Sequence, residues 1–176
     1  MPGPGRGLGA VVLLAVLIAV LLFGDEAAQE DSPPGTGDSP APESVVSAEV
    51  LRVVDGDTIE VDLDGREEDV RLIGVDTPET VKPGEPVQCF GPQASEFAKS
   101  VLEEETVRLE FDRELRDVYD RLLAYVFVGD RFVNAELVEG GFARTLEIEP
   151  NTARASQLAR LETAAGAAGR GLWGAC

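Results

Sequence analysis

The sequence predicts a five-stranded, OB-fold-like β-barrel with about three helices, and three observations support this prediction. Residues 45–74 are rich in β-branched residues and largely alternate apolar with polar side chains, as half-buried strands do. The turn sequences Asp55-Gly56 and Asp64-Gly65 divide them into a meander of three strands. Two further strand-like stretches follow a helical segment, and five short strands with a helix between the third and fourth are typical of this barrel.

The strands are bounded by Asp-Gly turns and by proline. Thr77-Pro78 ends the region of the third strand, because proline donates no hydrogen bond to a strand ladder. A loop rich in proline and glycine then runs from Lys82 to Gly91. The predicted strands are 45–54, 58–63, 66–74, 106–112 and 122–128.

Three helices are predicted around these strands. The first begins near Pro92, since proline is favoured in the first turn of a helix. Its apolar residues recur at helical spacing: Ala94, Phe97, Ala98, Val101 and Leu102. We expect Asn134 to cap a short second helix that ends at Gly140-Gly141, and Asn151 to open the last one.

The first 44 residues are predicted to lie outside the barrel domain, which is assigned to residues 45–176. Residues 8–23 are uncharged and apolar and follow Arg6, which is typical of an export signal. Because the sequence after them is a poor cleavage site, two alternatives stay open for residues 1–24: a signal peptide that is removed, or a signal anchor. The chain is thus secreted or held at the outer face of the cell membrane. Residues 25–44 are rich in proline, glycine, serine and acids and are predicted to form a disordered linker.

The composition restricts the possible chemistry. The chain has no histidine and only two cysteines, which excludes His-dependent nucleophilic catalysis and His-ligated or Cys₄ zinc sites. A bound metal would be a hard cation held by oxygen atoms, such as Ca²⁺, Mg²⁺ or Mn²⁺. The net charge of −18 repels polyanions, and taken alone it argues against a nucleic-acid partner.

Acidic and basic residues, together with one threonine, cluster near the ends of the predicted strands. They are Asp57, Arg71, Asp76, Thr77, Glu79 and Arg121. Such a set meets the needs of phosphodiester hydrolysis: carboxylates and a carbonyl can hold a divalent cation, and a further acid can orient the attacking water. Guanidinium groups can pair with the charge of the transition state. Asp55 is interpreted as a turn residue only.

Four stretches of the chain resemble the staphylococcal nuclease family. They are VVDGDTIEVDLDGREEDVRLIGVDTPET, DVYDRLLAYVFV, GFARTLEIEPN and GLW. The resemblance covers about residues 45–174. It implies a Ca²⁺-dependent endonuclease that cuts DNA and/or RNA and leaves 3′-phosphates and 5′-hydroxyls. We expect a monomer that contacts a membrane only through residues 1–24, if these are retained.

The resemblance also implies roles for individual residues. Asp57 and Asp76 would ligate Ca²⁺ through their carboxylates, and Thr77 would do so through its backbone carbonyl. Glu79 matches the residue that acts as general base or positions the attacking water.

Two arginines and a tyrosine complete the site that the resemblance implies. Arg71 and Arg121 match the arginines that bind the phosphate and stabilise the transition state, and Tyr119 matches a tyrosine near that phosphate.

The sequence departs from the family pattern at three acidic positions. Asp120 stands where the family usually has glycine, and it could pair with Arg121 or alter the loop. Glu147 and Glu149 stand where the best-known member has tyrosines that line the base pocket; they could repel the substrate there, or lie on the solvated surface. The alternative function is a non-catalytic, acidic module at the cell surface that binds Ca²⁺ or nucleic acid.

Cys89 and Cys176 are the only cysteines of the chain. In an exported protein such a pair predicts a disulfide, and two free thiols are the alternative. The closed loop of about 87 residues would contribute about 4–5 kcal/mol through chain entropy.

Overall fold

The structure, a computed structural model, describes residues 45–80, 84 and 86–176. The signal peptide or anchor predicted at 1–24 and the linker predicted at 25–44 lie outside these ranges. Every helix within them is too short or too polar to cross a membrane.

Five strands form a closed β-barrel, as predicted, with three helices and a final single helical turn around it. In the main sheet the strand order is β3-β2-β1-β5-β6-β7, and a parallel pairing of β3 with β6 closes the barrel. The elements are β1 (Val45–Asp55), β2 (Thr58–Leu63), β3 (Arg66–Leu72), β4 (Val75–Asp76), α1 (Gly91–Leu102), β5 (Thr106–Glu110), β6 (Leu122–Val128), β7 (Arg131–Phe132), α2 (Val133–Glu139), β8 (Arg144–Thr145), α3 (Ala155–Ala167) and α4 (Leu172–Ala175). The third and fourth predicted strands were each drawn two residues too long.

One hydrophobic cluster joins the barrel to the helices. Its strand residues alternate inward along each strand, and α1, α2 and α3 add their apolar faces. Among its most buried members are Ile59, Val61, Leu72, Leu102, Leu137 and Leu158. Each such side chain contributes about 1.5–3 kcal/mol through burial, so the barrel is a rigid support for the residues at its strand ends.

A bulge in β1 determines what its last residue faces. Ala48 and Val50 point into the core, the register with β2 then shifts, and Val53 and Asp55 continue the buried face. A bulge inserts an extra residue and changes the face on which the following side chains lie. It therefore turns Asp55 inward, where its residue surface is only 9% exposed.

The prediction that Asn134 caps the second helix is wrong. Phe132 is the residue before α2, and Asn134 lies inside that helix with a fully buried side chain. Its Oδ1 accepts a hydrogen bond from the backbone N–H of Val126 (2.9 Å), and its Nδ2 donates to the carbonyl of Ile73 (2.8 Å). Backbone groups that water cannot reach need a protein partner, and Asn134 provides one for β6 and one for the turn between β3 and β4.

Asn151 does not open the last helix either, because α3 begins four residues later, after Arg154. Its side chain accepts from the N–H of Glu114 and donates to the carbonyl of the same residue, both at 2.8 Å. It thus ties the segment before α3 to the loop between β5 and β6.

The C-terminus is attached to the barrel at three points. Cys176 forms a disulfide with Cys89, with a Cα–Cα distance of 6.0 Å. The N–H of Leu172 donates to the carbonyl of Gly141 (2.9 Å), and the guanidinium of Arg144 lies 4.2 Å from the ring centre of Trp173. These contacts hold α4 beside β8.

Asn134→Ala should lower the free energy of unfolding by about 2–4 kcal/mol, because it leaves two buried backbone groups without partners. Urea unfolding followed by circular dichroism measures this change. Gln157→Ala, on the exposed face of α3, is the control and should change the free energy by less than about 0.5 kcal/mol. A loss for Asn134→Ala no larger than that of the control would contradict the role given to this amide.

Candidate active site

The predicted site residues meet at the ends of β1, β3 and β4. Asp57 lies in the turn after β1 and is only 6% exposed. Its Oδ2 accepts from the backbone N–H of Thr77 (2.8 Å) and from its Oγ1 (3.0 Å), while Oδ1 accepts from Oγ1 of Thr58 (3.2 Å). A Cβ at Gly56 would lie 2.7 Å from Thr77 Cγ2, so only glycine permits this close approach of the two turns.

Arg71, on β3, lies between two of the predicted acids. Its Nη1 donates to the carbonyls of Leu72 and Val75, each at 2.8 Å, which fixes the plane of the guanidinium. Its Nη2 lies 3.3 Å from Oδ2 of Asp57 and 3.4 Å from Oδ1 of Asp76. One positive charge is therefore shared by two carboxylates.

A further acid, Asp55, belongs to this cluster although it was interpreted as a turn residue. Its Oδ1 accepts from the N–H of Gly56 (2.6 Å) and from Oγ1 of Thr80 (3.2 Å). Burial raises the pKa of Asp55 to about 6; the Gly56 N–H opposes this shift, and the charges of Asp57 and Glu79 together with a hydrogen bond to Glu79 add to it. The signal in the sequence was the alternation of buried and exposed side chains along β1. Asp55 follows the buried Val53 by two residues and therefore falls on the same face of the strand.

Asp76 and Glu79 carry the remaining acidic groups. Partial burial and then the charge of Asp57 raise the pKa of Asp76; Arg71 and Arg144 oppose the shift, and Glu79 adds to it. The carboxylate of Glu79 accepts from the N–H of Thr80 (2.9 Å). Four acids thus lie close enough to repel one another, and one arginine lies between two of them.

This surplus of negative charge fits a hard divalent cation. All the donors are oxygen atoms, which Ca²⁺ and Mg²⁺ prefer, and the raised pKa values show that further positive charge would be stabilising. In the part of the chain that the structure describes, no three acids are gathered around one point. The carboxylates of Asp57 and Asp76, which share Arg71, and the neighbouring Thr77 are the residues predicted to hold a cation, and their role stays a prediction.

Arg121 is held by Asp117, a residue that the sequence analysis did not assign to the site. Its Nε and Nη2 lie 2.8 and 2.6 Å from Oδ2 of Asp117, and its backbone N–H donates to Oδ1 (3.0 Å). Burial would raise the pKa of Asp117, but hydrogen bonds from Arg121 and Tyr119 outweigh burial and lower it. The ring of Tyr119, which is 77% exposed, lies 5.3 Å from the guanidinium of Arg121.

Asp120 pairs with Arg116 and not with Arg121. Its backbone φ of 67° is in the left-handed region, which aspartate tolerates better than most residues other than glycine. Its carbonyl accepts from Nη1 of Arg116 (2.6 Å), and its exposed carboxylate lies 3.7 Å from Nε of the same residue. Asp120 therefore adopts the backbone conformation that glycine would have there, and Arg121 keeps its partner.

The barrel closure brings the two predicted arginines together. In the parallel pairing of β3 with β6, Val70 lies opposite Leu122 and Arg71 opposite Leu123. Arg121 directly precedes Leu122, so the two arginines lie on neighbouring strands. They line a common groove of about 320 Å³.

Glu147 and Glu149 are both exposed, and neither of them lines this groove. Its aliphatic wall includes Leu146 and Ile148, whereas Glu147 lines a separate, smaller cavity beside Tyr125. Leu146 lines both the groove and this smaller cavity, so the segment passes between the two. The groove is consequently apolar along this wall.

Comparison with known proteins agrees with this architecture. Residues 69–175 match the family model of staphylococcal nuclease homologues. The chain is 48% identical to a thermonuclease of Staphylococcus intermedius over 145 residues, which are 80% of this chain and 82% of that protein. It is 44% identical to a thermonuclease of Staphylococcus hyicus over 140 residues (79% and 82%) and 41% identical to endonuclease YncB of Bacillus subtilis over 126 residues (70% and 60%).

The barrel, its cluster of acids and arginines and these relatives define a hydrolytic nuclease built on an OB-like barrel. The chain belongs to the staphylococcal nuclease homologue family.

Asp55→Asn should stabilise the metal-free protein at about pH 7.5. The folded pKa of Asp55 is raised to about 6 against about 4 in an unfolded chain, so this group lowers stability progressively as pH rises from about 4 to 6. One pKa unit corresponds to about 1.4 kcal/mol, so the gain should reach about 3 kcal/mol at most above pH 6 and vanish near pH 4. Urea unfolding in EDTA at both pH values measures it.

The exposed Asp130, replaced by asparagine, is the control and should show no such pH-dependent gain. An equal gain from Asp55→Asn at both pH values would contradict the electrostatic origin, since asparagine keeps the Oδ1 acceptor for Gly56 and Thr80.

Proposed function

We propose that this nuclease is a Ca²⁺-dependent endonuclease that hydrolyses phosphodiester bonds of DNA and/or RNA, leaving a 3′-phosphate and a 5′-hydroxyl. The observation that carries the proposal is the convergence of Asp57, Arg71 and Asp76 at one edge of a groove that Arg121 also lines. Carboxylates that could hold a cation would then lie beside two guanidinium groups that can bind a phosphate.

Asp57, Asp76 and the carbonyl of Thr77 would hold the cation. When bound, Ca²⁺ supplies positive charge that neutralises the phosphate oxygens. Asp57 is suited to this role because its hydrogen bonds from Thr77 fix the carboxylate against the end of β4 before any metal arrives. Two other hard cations, Mg²⁺ and Mn²⁺, are compatible with the same donors.

Glu79 is the group that we assign to the attacking water. Its carboxylate can accept a proton from the water while the water oxygen attacks phosphorus; the bond to the 5′ oxygen breaks, and that oxygen takes up a proton from solvent to leave as the hydroxyl. The N–H of Thr80 fixes one oxygen of that carboxylate at 2.9 Å, which restricts the direction from which a water can be held.

Arg71 and Arg121 are assigned to the charge that develops on the phosphate. A guanidinium pairs with two oxygen atoms at once, and this geometry is most favourable when both groups are held in advance. Arg71 is held by two carbonyls and Arg121 by Asp117, so neither needs to be ordered by the substrate. Tyr119, beside Arg121, would contact the same phosphate.

Substrate capture has to work against the charge of the domain. Residues 45–176 carry 27 acidic and 14 basic side chains. We infer that attraction is local, provided by the cation and by the two groove arginines, because the wider surface repels nucleic acid.

We also propose that the protein works outside the cytoplasm as a monomer. Residues 8–23 and the Cys89–Cys176 disulfide support export, since disulfides persist in oxidising compartments. Residues 1–24 would then be removed or would anchor the chain to the membrane.

Glu79→Gln should lower kcat by about 10²–10⁴-fold with little change in KM, because it removes the proton acceptor and keeps the size of the side chain. Digestion of single-stranded DNA and of RNA in Ca²⁺ measures this, and EDTA should abolish the activity of the unaltered chain. Glu96→Gln, an exposed position on α1, is the matched control and should leave kcat unchanged.

Equal hydrolysis by the unaltered chain, the Glu79→Gln variant and the EDTA-treated sample would overturn the proposal. Ca²⁺ binding without any hydrolysis would instead indicate the non-catalytic alternative.

Ile148→Tyr should tighten the binding of a mononucleotide such as thymidine 3′,5′-bisphosphate. Stacking of a base on an aromatic ring contributes about 1–3 kcal/mol, so the dissociation constant should fall by about 5- to 100-fold. Isothermal titration calorimetry measures it. Glu147→Tyr, one position away but outside the groove, should leave the constant unchanged, and the opposite order of effects would contradict the assignment of the groove wall.

A further inference from the structure

Both backbone polar groups of Glu79 are bonded to one residue, Gln88. The N–H of Glu79 donates to Oε1 of Gln88 (3.1 Å), and the carbonyl of Glu79 accepts from the N–H of Gln88 (2.9 Å). Gln88, nine residues later in the chain, thus bonds to the peptide groups on both sides of the Glu79 Cα. The position of the Glu79 backbone therefore depends on where Gln88 is held.

Gln88 is held in turn by the residues that follow it. Its carbonyl accepts from the N–H of Gly91 (3.1 Å), the first residue of α1. The next residue, Cys89, is bonded to Cys176 at the end of the chain. Phe90, after that, has a left-handed φ of 69° and stacks against Phe142 with ring centres 5.7 Å apart.

The C-terminal attachment extends this chain of contacts. The backbone N–H of Cys176 donates to the carbonyl of Leu172 (3.1 Å), and the N–H of Leu172 donates to the carbonyl of Gly141 (2.9 Å). Covalent and hydrogen-bonded links thus run from the barrel through α4 and the disulfide to Gln88, and from there to Glu79.

We propose that Gln88 is a positioning residue for Glu79, and that the Cys89–Cys176 disulfide fixes Gln88 for this purpose. The inference deepens the proposed function and rests on it, since it concerns the carboxylate assigned to the attacking water. Gln88 contacts no reacting atom. It acts by fixing the peptide groups on both sides of the Glu79 Cα, from which the carboxylate projects.

The exposure of Gln88 makes it unsuited to a purely stabilising role. The net contribution of a hydrogen bond to folding stability is only about 0.5–1.5 kcal/mol, and water can replace a bond that is exposed, as the one from Glu79 to Gln88 is. Geometry is more sensitive, because a displacement of about 1 Å at a catalytic group can cost about 10²-fold in rate. Loss of the Gln88 side chain should therefore change the rate more than the stability.

The test compares three variants of the full chain with single-stranded DNA in Ca²⁺. Gln88→Met keeps the length of the side chain and removes its acceptor, and we expect kcat to fall about tenfold with KM within about twofold. Gln88→Glu keeps the acceptor and should recover kcat to within about threefold. Gln93→Met, on the exposed start of α1, is the matched control and should leave kcat unchanged.

A double variant shows whether the effect passes through Glu79. In the Glu79→Gln background, Gln88→Met should cause no further loss of kcat, because the carboxylate that it positions is absent. The same tenfold loss in that background would overturn the inference, as would an unchanged kcat in Gln88→Met alone. If Glu79→Gln itself retains full activity, the proposed function fails instead, so the two failures are distinguishable.

The disulfide is tested in the same assay with Cys89→Ser/Cys176→Ser, after circular dichroism has established that the variant is folded at the assay temperature. We expect a kcat loss similar to that of Gln88→Met, with no further loss when the two changes are combined. A fully active serine variant would overturn the role given to the disulfide. The same holds if the kcat losses of the serine variant and of Gln88→Met multiply when the changes are combined. If the serine variant does not fold, Gln88→Met alone decides the role of Gln88.

Discussion

The site depends on the contact between Asp57 and the end of β4. A carboxylate that is 6% exposed accepts two hydrogen bonds from Thr77, twenty residues later, and this contact joins the β1–β2 turn to the strand end that carries the other acids. It also determines which residues can occupy the turn, since only glycine fits at position 56. Arg71 then lies between Asp57 and Asp76 and reduces their repulsion. Without this contact Asp57 would lose the two hydrogen bonds that hold it beside the end of β4.

Most of the fold could be predicted from the sequence, because its signals are local. Alternation of apolar residues, Asp-Gly turns and a helical repeat from Ala94 to Leu102 define the strands and the first helix within a few positions. The roles of the two asparagines could not be predicted in this way. Asn134 and Asn151 are of a residue type that often caps helices. Each of them instead donates to a backbone carbonyl that is 61 or 37 residues distant in sequence. These parts of the chain come together only when the barrel closes. A side chain that forms hydrogen bonds with a distant part of the backbone leaves no periodic pattern in the sequence.

The site was predictable to the extent that its motifs are contiguous. Asp57, Arg71, Asp76 and Glu79 fall in one stretch, and the structure gathers them at neighbouring strand ends. Asp55 and Asp117 were missed because each resembles an ordinary turn residue until burial and partners are known. The residues of the segment 146–149 that line the groove could not be predicted, because no periodic pattern marks this irregular segment; the structure places Leu146 and Ile148 there and leaves Glu147 and Glu149 exposed. For Asp120 the sequence left two outcomes open, a pair with Arg121 or a changed loop, and the structure shows a pair with Arg116 instead.

The parallel pairing of β3 with β6 couples the closure of the barrel to the arrangement of the groove. The same few hydrogen bonds close the barrel and bring Arg71 next to Arg121, so both arginines line the groove only while this seam is intact. The seam joins three residue pairs, as many as the pairing of β5 with β6. A shift of one residue along it would turn side chains of one strand to the opposite face, so a single register determines both barrel closure and the lining of the groove.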